Sequence, residues 1–191
     1  MKNIVYPDAS EGIEETLAGH RRESLEKLGD LKIFYDAPAD HQEFLKRIDG
    51  AHALLVGWAL PVEVMTQTPT LEILSFTGIG ASNFIDLPAA AIQGITVCNC
   101  PGYADYTVAE HTLALLLAAA RHVPQLDTEL RDGRWNQSLD GMELRGKQLG
   151  IIGFGGIGRR VFELARAFGM AVKVWTRNPS EVRAREHDVE F

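Results

Sequence analysis

Residues 147–177 read KQLGIIGFGGIGRRVFELARAFGMAVKVWTR. A short apolar run, Gln148–Ile152, leads into a loop in which Gly153, Gly155 and Gly158 spell G-x-G-x-x-G. An amphipathic stretch follows, Gly156–Phe168, closed by Gly169, and then a second apolar run, Ala171–Trp175. The periodicities predict strand, helix, strand. In a chain with 18 glycines the bare glycine pattern is weak, but between a strand and a helix it carries a mechanism. Gly153 makes the tight turn, Gly155 lets a pyrophosphate approach the backbone, and Gly158 lets helix and strand pack closely. The helix start, with Phe154, Gly156 and Ile157 between the glycines, offers free amides and the positive end of the helix dipole to the phosphates. The segment therefore reads as a β-α-β unit that binds a nicotinamide dinucleotide.

The second strand qualifies which dinucleotide. Where NAD-binding units place a carboxylate for the ribose 2′-hydroxyl, this chain has Trp175-Thr176-Arg177-Asn178. Thr176 offers a hydroxyl, and Arg177 a planar guanidinium suited to a 2′-phosphate. NADP(H) is thus favoured over NAD(H).

Outward from this unit, the first hundred residues alternate between short apolar runs and helix-like stretches. Ile4–Tyr6, Leu31–Tyr35, Ala53–Val56, Ile73–Phe76 and Ile95–Cys98 are predicted strands. Glu11–Leu28, Asp40–Ile48, Pro61–Met65 and Leu87–Gln93 are predicted helices. Asp40 with Glu43 forms a capping-box pattern; Asp86 is a cap with Pro88 in the first turn. Such alternation predicts an open, mostly parallel α/β sheet. After Pro101-Gly102 the pattern changes to one long helix, Asp105–Val123, apolar on nearly every side and so expected to be widely buried. A polar helix, Gln125–Trp135, comes next, and Glu181–Phe191 has no readable pattern.

Composition sets broad limits. Of the 191 residues, 46% are apolar and 24% charged, and the net charge is −7. That balance argues against nucleic acid and anionic membrane surfaces. The longest apolar run, Leu113–Ala120, is far shorter than the roughly 20 residues of a membrane span. The first residues, MKNIVYPDAS, read as a β-strand, not a signal peptide. Two cysteines, Cys98 and Cys100, give no metal cluster or disulfide framework, so no metal is expected and a reduced, cytoplasmic setting fits.

Several stretches together carry a family resemblance. Leu144-Arg145-Gly146-Lys147 followed by GIIGFGGIG, Asn99-Cys100-Pro101-Gly102-Tyr103, Val108-Ala109-Glu110-His111, Thr77-Gly78-Ile79-Gly80 with Asn83 and Asp86, and Gly133-x-Trp135 resemble the D-isomer-specific 2-hydroxyacid dehydrogenases in order and spacing. The resemblance implies an α/β protein: a flavodoxin-like substrate-side domain over residues 1–100, then the first half of a Rossmann dinucleotide-binding domain over 101–191. In such enzymes the active site lies in the cleft between the domains and moves a hydride between NAD(P)H and C2 of a small 2-oxo or 2-hydroxy acid. By the same carry-over, backbone amides at Ile79 and Gly80 hold the substrate carboxylate, Gly57 and Trp58 shape its pocket, and Val108 lines the cofactor. The resemblance also implies a homodimer through the 105–123 helix, for which a core helix is the alternative reading. The chain departs from the family pattern after Gly80, where Ser82 stands in the region of the usual acid.

The family's substrate-orienting Arg, its acid and its His come later in family order than Phe191, so no catalytic residue is assigned within the chain. A doubly wound half needs roughly 30 residues per βαβ unit, and the expectation is a truncated enzyme, inactive alone. None of His20, His41, His52, His111, His122 and His187 matches the family's catalytic position. A different class, a dinucleotide-sensing corepressor-like binding protein, shares the fold. An amino-acid dehydrogenase with the same glycine loop is a third reading, against which the Asn99–His111 stretch argues.

Overall fold

The computed structural model describes residues 1–191, which divide into two compact units, Met1–Pro101 and Gly102–Phe191. In the first, five parallel strands, β1 (Asn3–Tyr6), β2 (Asp30–Ile33), β3 (Ala53–Val56), β4 (Ile73–Phe76) and β5 (Thr96–Cys98), lie in the order β2-β1-β3-β4-β5. This is the flavodoxin-like order, which reverses direction between β1 and β3. Because central parallel strands are covered on both faces, they read as apolar runs. Leu54, Val56, Leu74 and Phe76 are almost wholly buried, each contributing ~1.5–3 kcal/mol.

The helices of this unit are α1 (Ile13–Thr16), α2 (His20–Glu26), α3 (His41–Ile48), α4 (Val62–Thr66) and α5 (Leu87–Ile92). The predicted single helix over 11–28 is two. Gly19, at φ 62° and ψ −134°, holds a conformation that only glycine adopts cheaply and cuts the helix there. Both predicted caps form: Asp40 accepts from the Glu43 amide at 2.8 Å, while Glu43 accepts from the Ala39 amide. Asp86 accepts from the Ala89 amide. Helix α3 turns Phe44, Arg47 and Ile48 inward. Arg47 is buried because its guanidinium donates to the carbonyls of Pro7 and Asp36 and to the carboxylates of Asp36 and Glu43.

The second unit contains α6 (Asp105–Ala120), α7 (Val123–Arg131), β6 (Gln148–Ile152), α8 (Gly156–Ala167), β7 (Ala171–Trp175) and α9 (Glu181–His187). Helix α6 stops three residues short of the predicted end. His122 takes a left-handed turn, Pro124 opens α7, and the Ala120 carbonyl accepts the Met142 amide instead of a helical one. Helix α7 accordingly starts at Val123, two residues early, and ends at Arg131. The expected wide burial of α6 is also corrected: Ala109, Leu113 and Ala120 are buried while Leu115 is 59% exposed. Helix α9, unread in the sequence, is capped by Ser180, which accepts from the Arg183 amide. Strands β6 and β7 pair in parallel with each other. Ile151 and Val174 face a core with Phe154, Val161 and Phe162; Ile152 and Trp175 face outward.

Candidate functional site

In open parallel sheets, ligands bind beyond the carboxyl ends of the strands where the order reverses. In the first unit that place is framed by Pro7–Asp8 after β1, Gly57–Trp58 after β3 and Thr77–Gly80 after β4. Ile79 and Gly80 stand in a turn fixed through its carbonyls. Asn99 Nδ2 donates to the Ile79 carbonyl at 2.5 Å, the Cys100 amide to that of Gly78 and the Asn83 amide to that of Gly80. The Ile79 and Gly80 amides themselves make no hydrogen bond within the chain. Consecutive free amides in such a turn form an anion-binding concavity. Gly78 has no room for a side chain, since a Cβ would lie 2.5 Å from the Phe76 ring, which is itself stacked on Phe84.

Gly57 and Trp58 are differently disposed. Both amides donate to the Asp8 carboxylate, at 3.3 and 3.1 Å, so they are not left for a ligand. What the loop presents is the Trp58 ring, 62% exposed. Burial, the largest influence, pushes the Asp8 carboxyl above the ordinary range, opposed by the Gly57 and Trp58 amides and by Arg47. Ser82 is exposed in a short 3-10 turn, Ala81–Asn83.

In the second unit the glycine loop follows β6. Gly153 has φ 100° and donates its amide to the Trp175 carbonyl at 2.7 Å. A Cβ at Gly158 would sit 2.2 Å from the Gly153 carbonyl oxygen, and one at Gly156 would strike the Asp105 carboxylate. At Gly155 a Cβ would meet nothing within 4 Å. No side chain caps α8, whose first helical bond is Arg159 N–H to the Gly155 carbonyl. The amides of Gly156, Ile157 and Gly158 therefore precede the ladder; the space is open at Gly155, while the Asp105 carboxylate stands beside Gly156. Free amides at a helix start, as in this cradle, are the kind of group that can hold a phosphate.

Phe154 reaches that cradle only through its backbone. Its ring is buried against Phe162, His187 and Phe191, and its carbonyl accepts the Arg183 guanidinium. Ile157 packs on the same core. Thr176 is half-buried and Arg177 exposed at the end of β7. Val108 stands one turn beyond Asp105 on α6, 39% exposed.

Sequence reading missed Asp8, Arg47, Asp105 and Arg183. The one local signal among them was Asp105, an acid opening a helix. Of the histidines, His52 accepts the Asn3 amide at the amino ends of β1 and β3, opposite Asp8. His187 lies 3.9 Å from Glu186. No cluster of three or more His, Cys, Asp or Glu side chains converges as a metal site, both cysteines are free and exposed, and no helix is long and apolar enough to cross a membrane.

Residues 113–191 match the family model described as "D-isomer specific 2-hydroxyacid dehydrogenase, NAD binding domain". The D-3-phosphoglycerate dehydrogenase of Methanocaldococcus jannaschii is 38% identical over 151 residues, 78% of this chain and 28% of that protein. The hydroxypyruvate reductase of Thermotoga maritima is 40% identical over 136 residues, 70% of this chain and 44% of that protein. Among solved structures, an acyclic imino acid reductase in complex with NADPH and D-Arg superposes with TM-score 0.81 at 30% identity, covering 94% of this chain and 58% of that one. A glyoxylate reductase from Paecilomyes thermophila gives TM-score 0.82 at 25% identity, covering 99% and 59%. The chain thus spans under half the length of these two curated relatives.

Proposed function

Because the chain belongs to the D-isomer-specific 2-hydroxyacid dehydrogenase family, we propose that it binds NADP(H) at the Gly153–Gly158 loop and a small 2-oxo or 2-hydroxy acid at the Ile79–Gly80 turn. When bound, the nicotinamide supplies or takes a hydride at C2 of the acid. The chain's own contribution is positional. The Gly156–Gly158 amides take the pyrophosphate, and the Ile79 and Gly80 amides take the substrate carboxylate, leaving its C2 oriented. Trp58 supplies a wall. The observation that carries this reading is the uncapped start of α8, open at Gly155 and tightly packed at Gly158. No histidine of the chain is assigned the acid–base role.

Preference for NADP(H) is read from Thr176 and the exposed Arg177 at the end of β7. Replacing Arg177 by alanine should weaken NADPH binding roughly 10- to 100-fold, the worth of a charge-assisted hydrogen bond, and leave NADH binding unchanged. Fluorescence titration with both nucleotides measures this; equal losses would refute the phosphate assignment, and no binding of either nucleotide would refute the coenzyme site itself.

Val108 and Leu115, seven positions apart on one face of α6, are both exposed. Apolar surface of this kind on a helix favours association, and a second copy of the chain is the proposed partner. Leu115→Arg is expected to shift the chain from dimer to monomer in sedimentation velocity at micromolar concentration. A variant that sediments like the unmodified dimer would remove α6 from the interface.

A further inference from the structure

Asp8 is nearly fully buried, yet neither the coenzyme cradle nor the carboxylate cradle gives it a task. Its carboxylate gathers two consecutive amides, those of Gly57 and Trp58, from a loop 49 and 50 positions away. The two amide bonds offset part of the cost of burying the carboxylate and tie the loop to Asp8. The loop is fixed from two other sides as well. Tyr6 packs its hydroxyl against Gly57, where a Cβ would come within 3.0 Å. The Val56 carbonyl accepts both the amide and the hydroxyl of Thr77. A continuous bonded path therefore runs from Asp8 through Gly57 and Val56 to Thr77 and on to the Gly78–Gly80 turn. Arg47, reaching in from α3, donates to the Pro7 carbonyl at 2.8 Å and so sets the turn that carries Asp8.

Trp58 stands at the free end of this path. Its backbone amide is held by Asp8 while the residue is 62% exposed, so the place from which the ring projects is fixed. We propose that Asp8 is the positioning residue of the substrate site: its carboxylate holds the Gly57–Trp58 wall against the Ile79–Gly80 turn, and loss of that negative charge weakens binding of 2-oxo acid anions. The proposal rests on the reading of Ile79–Gly80 as the carboxylate cradle.

The groups facing Asp8 are the Tyr6 phenol on β1 and the Arg47 guanidinium on α3, the latter also paired with Asp36 and Glu43. Burial raises the Asp8 pKa above its ordinary value. The folded chain therefore holds the proton more tightly than the unfolded one. Stability is greatest below the ordinary carboxylate range and declines as pH rises through the raised pKa. Substrate binding has the opposite sign and strengthens over that same rise, so the two measurements separate a structural role from a positioning one.

The test uses 15N-labelled 191-residue chain. In a pH titration the Gly57 and Trp58 amide protons should move together above the range of a free aspartate, and in Asp8→Asn they should not titrate. Glyoxylate, added as the probe and followed at the Ile79 and Gly80 amides, should bind about tenfold more weakly in Asp8→Asn, in keeping with a lost charge-assisted hydrogen bond. It should also bind more weakly in the unmodified chain below the Asp8 midpoint. NADPH affinity should be unchanged. Flat Gly57 and Trp58 amides, or equal glyoxylate affinity on both sides of the midpoint, overturn the proposal. If glyoxylate leaves Ile79 and Gly80 unmoved at every pH, the cradle reading fails, and Asp8's role in binding fails with it even where the 57–58 amides titrate. The arm using the unmodified chain decides the matter even if Asp8→Asn does not fold.

Discussion

Valine in place of Gly155 is expected to leave the thermal unfolding of the chain unchanged and to weaken NADPH binding on the order of 100-fold. The two halves of that expectation come from one geometric fact. Gly155 has extended backbone, φ −82° and ψ −164°, which any residue adopts, and an added Cβ meets nothing within 4 Å. The folded chain therefore has room for the added Cβ, and a less flexible residue restricts the unfolded state slightly. A pyrophosphate resting on the loop needs that same room. Losing one or two charge-assisted bonds to its oxygens, at ~1.5–3 kcal/mol each, gives the stated factor. Gly158→Val is the contrasting control. Its Cβ would lie 2.2 Å from the Gly153 carbonyl, so strand and helix themselves must part, and melting should fall with binding. Melting curves and nucleotide titrations on both variants separate the cases. Undiminished NADPH affinity in Gly155→Val would take the phosphates off this loop.

Arg47→Ala is expected to destabilise the first unit by about 3 kcal/mol, measured by urea unfolding. The side chain is 4% exposed, donates to two main-chain carbonyls, and lies 4.8 Å over the Phe34 ring. Its removal strands buried acceptors, at ~1–3 kcal/mol each, and leaves a cavity. The carboxylate partners moderate the loss: Asp36 is 73% exposed and can return to water. A loss below about 1 kcal/mol, the ordinary range for a surface ion pair, would mean that the network is ornamental to the fold.

The α/β architecture was legible because the apolar runs at 4–6, 53–56 and 73–76 are short and separated by helix-length segments, which leaves few other arrangements. The strand order was legible only through the family resemblance, whose flavodoxin-like first domain implies β2-β1-β3-β4-β5; alternation alone does not say whether β3 lies beside β1 or beyond β2. The glycine loop was legible because its chemistry is local, with all its glycines inside one turn. Asp8 was opaque for the opposite reason: in Tyr6-Pro7-Asp8-Ala9 it resembles any acid in a loop, and its partners lie some fifty residues on. Arg47 pairs with Glu43 one turn away, but its inward turn depends on the Pro7 carbonyl forty positions earlier, which no local pattern announces. The break at Gly19 was hidden by Leu17, Leu25 and Leu28, whose spacing suits one helix. The Ser180 cap before Glu181 was a readable start signal for α9, obscured by the mixed charge of residues 181–191.

The reversal of strand order between β1 and β3 has a bearing on how such a protein diverges. Residues 8, 57–58 and 77–80 meet although none belongs to a strand, and the strands beneath them supply only spacing. On the proposed function, insertions or exchanges at positions 57–60 can then alter which acid is accepted while every ladder hydrogen bond remains as it was. Selectivity in this lineage can be inherited and lost independently of the scaffold. A descendant with a new substrate would be distinguished by its turns, with its sheet still recognisable as that of the ancestor.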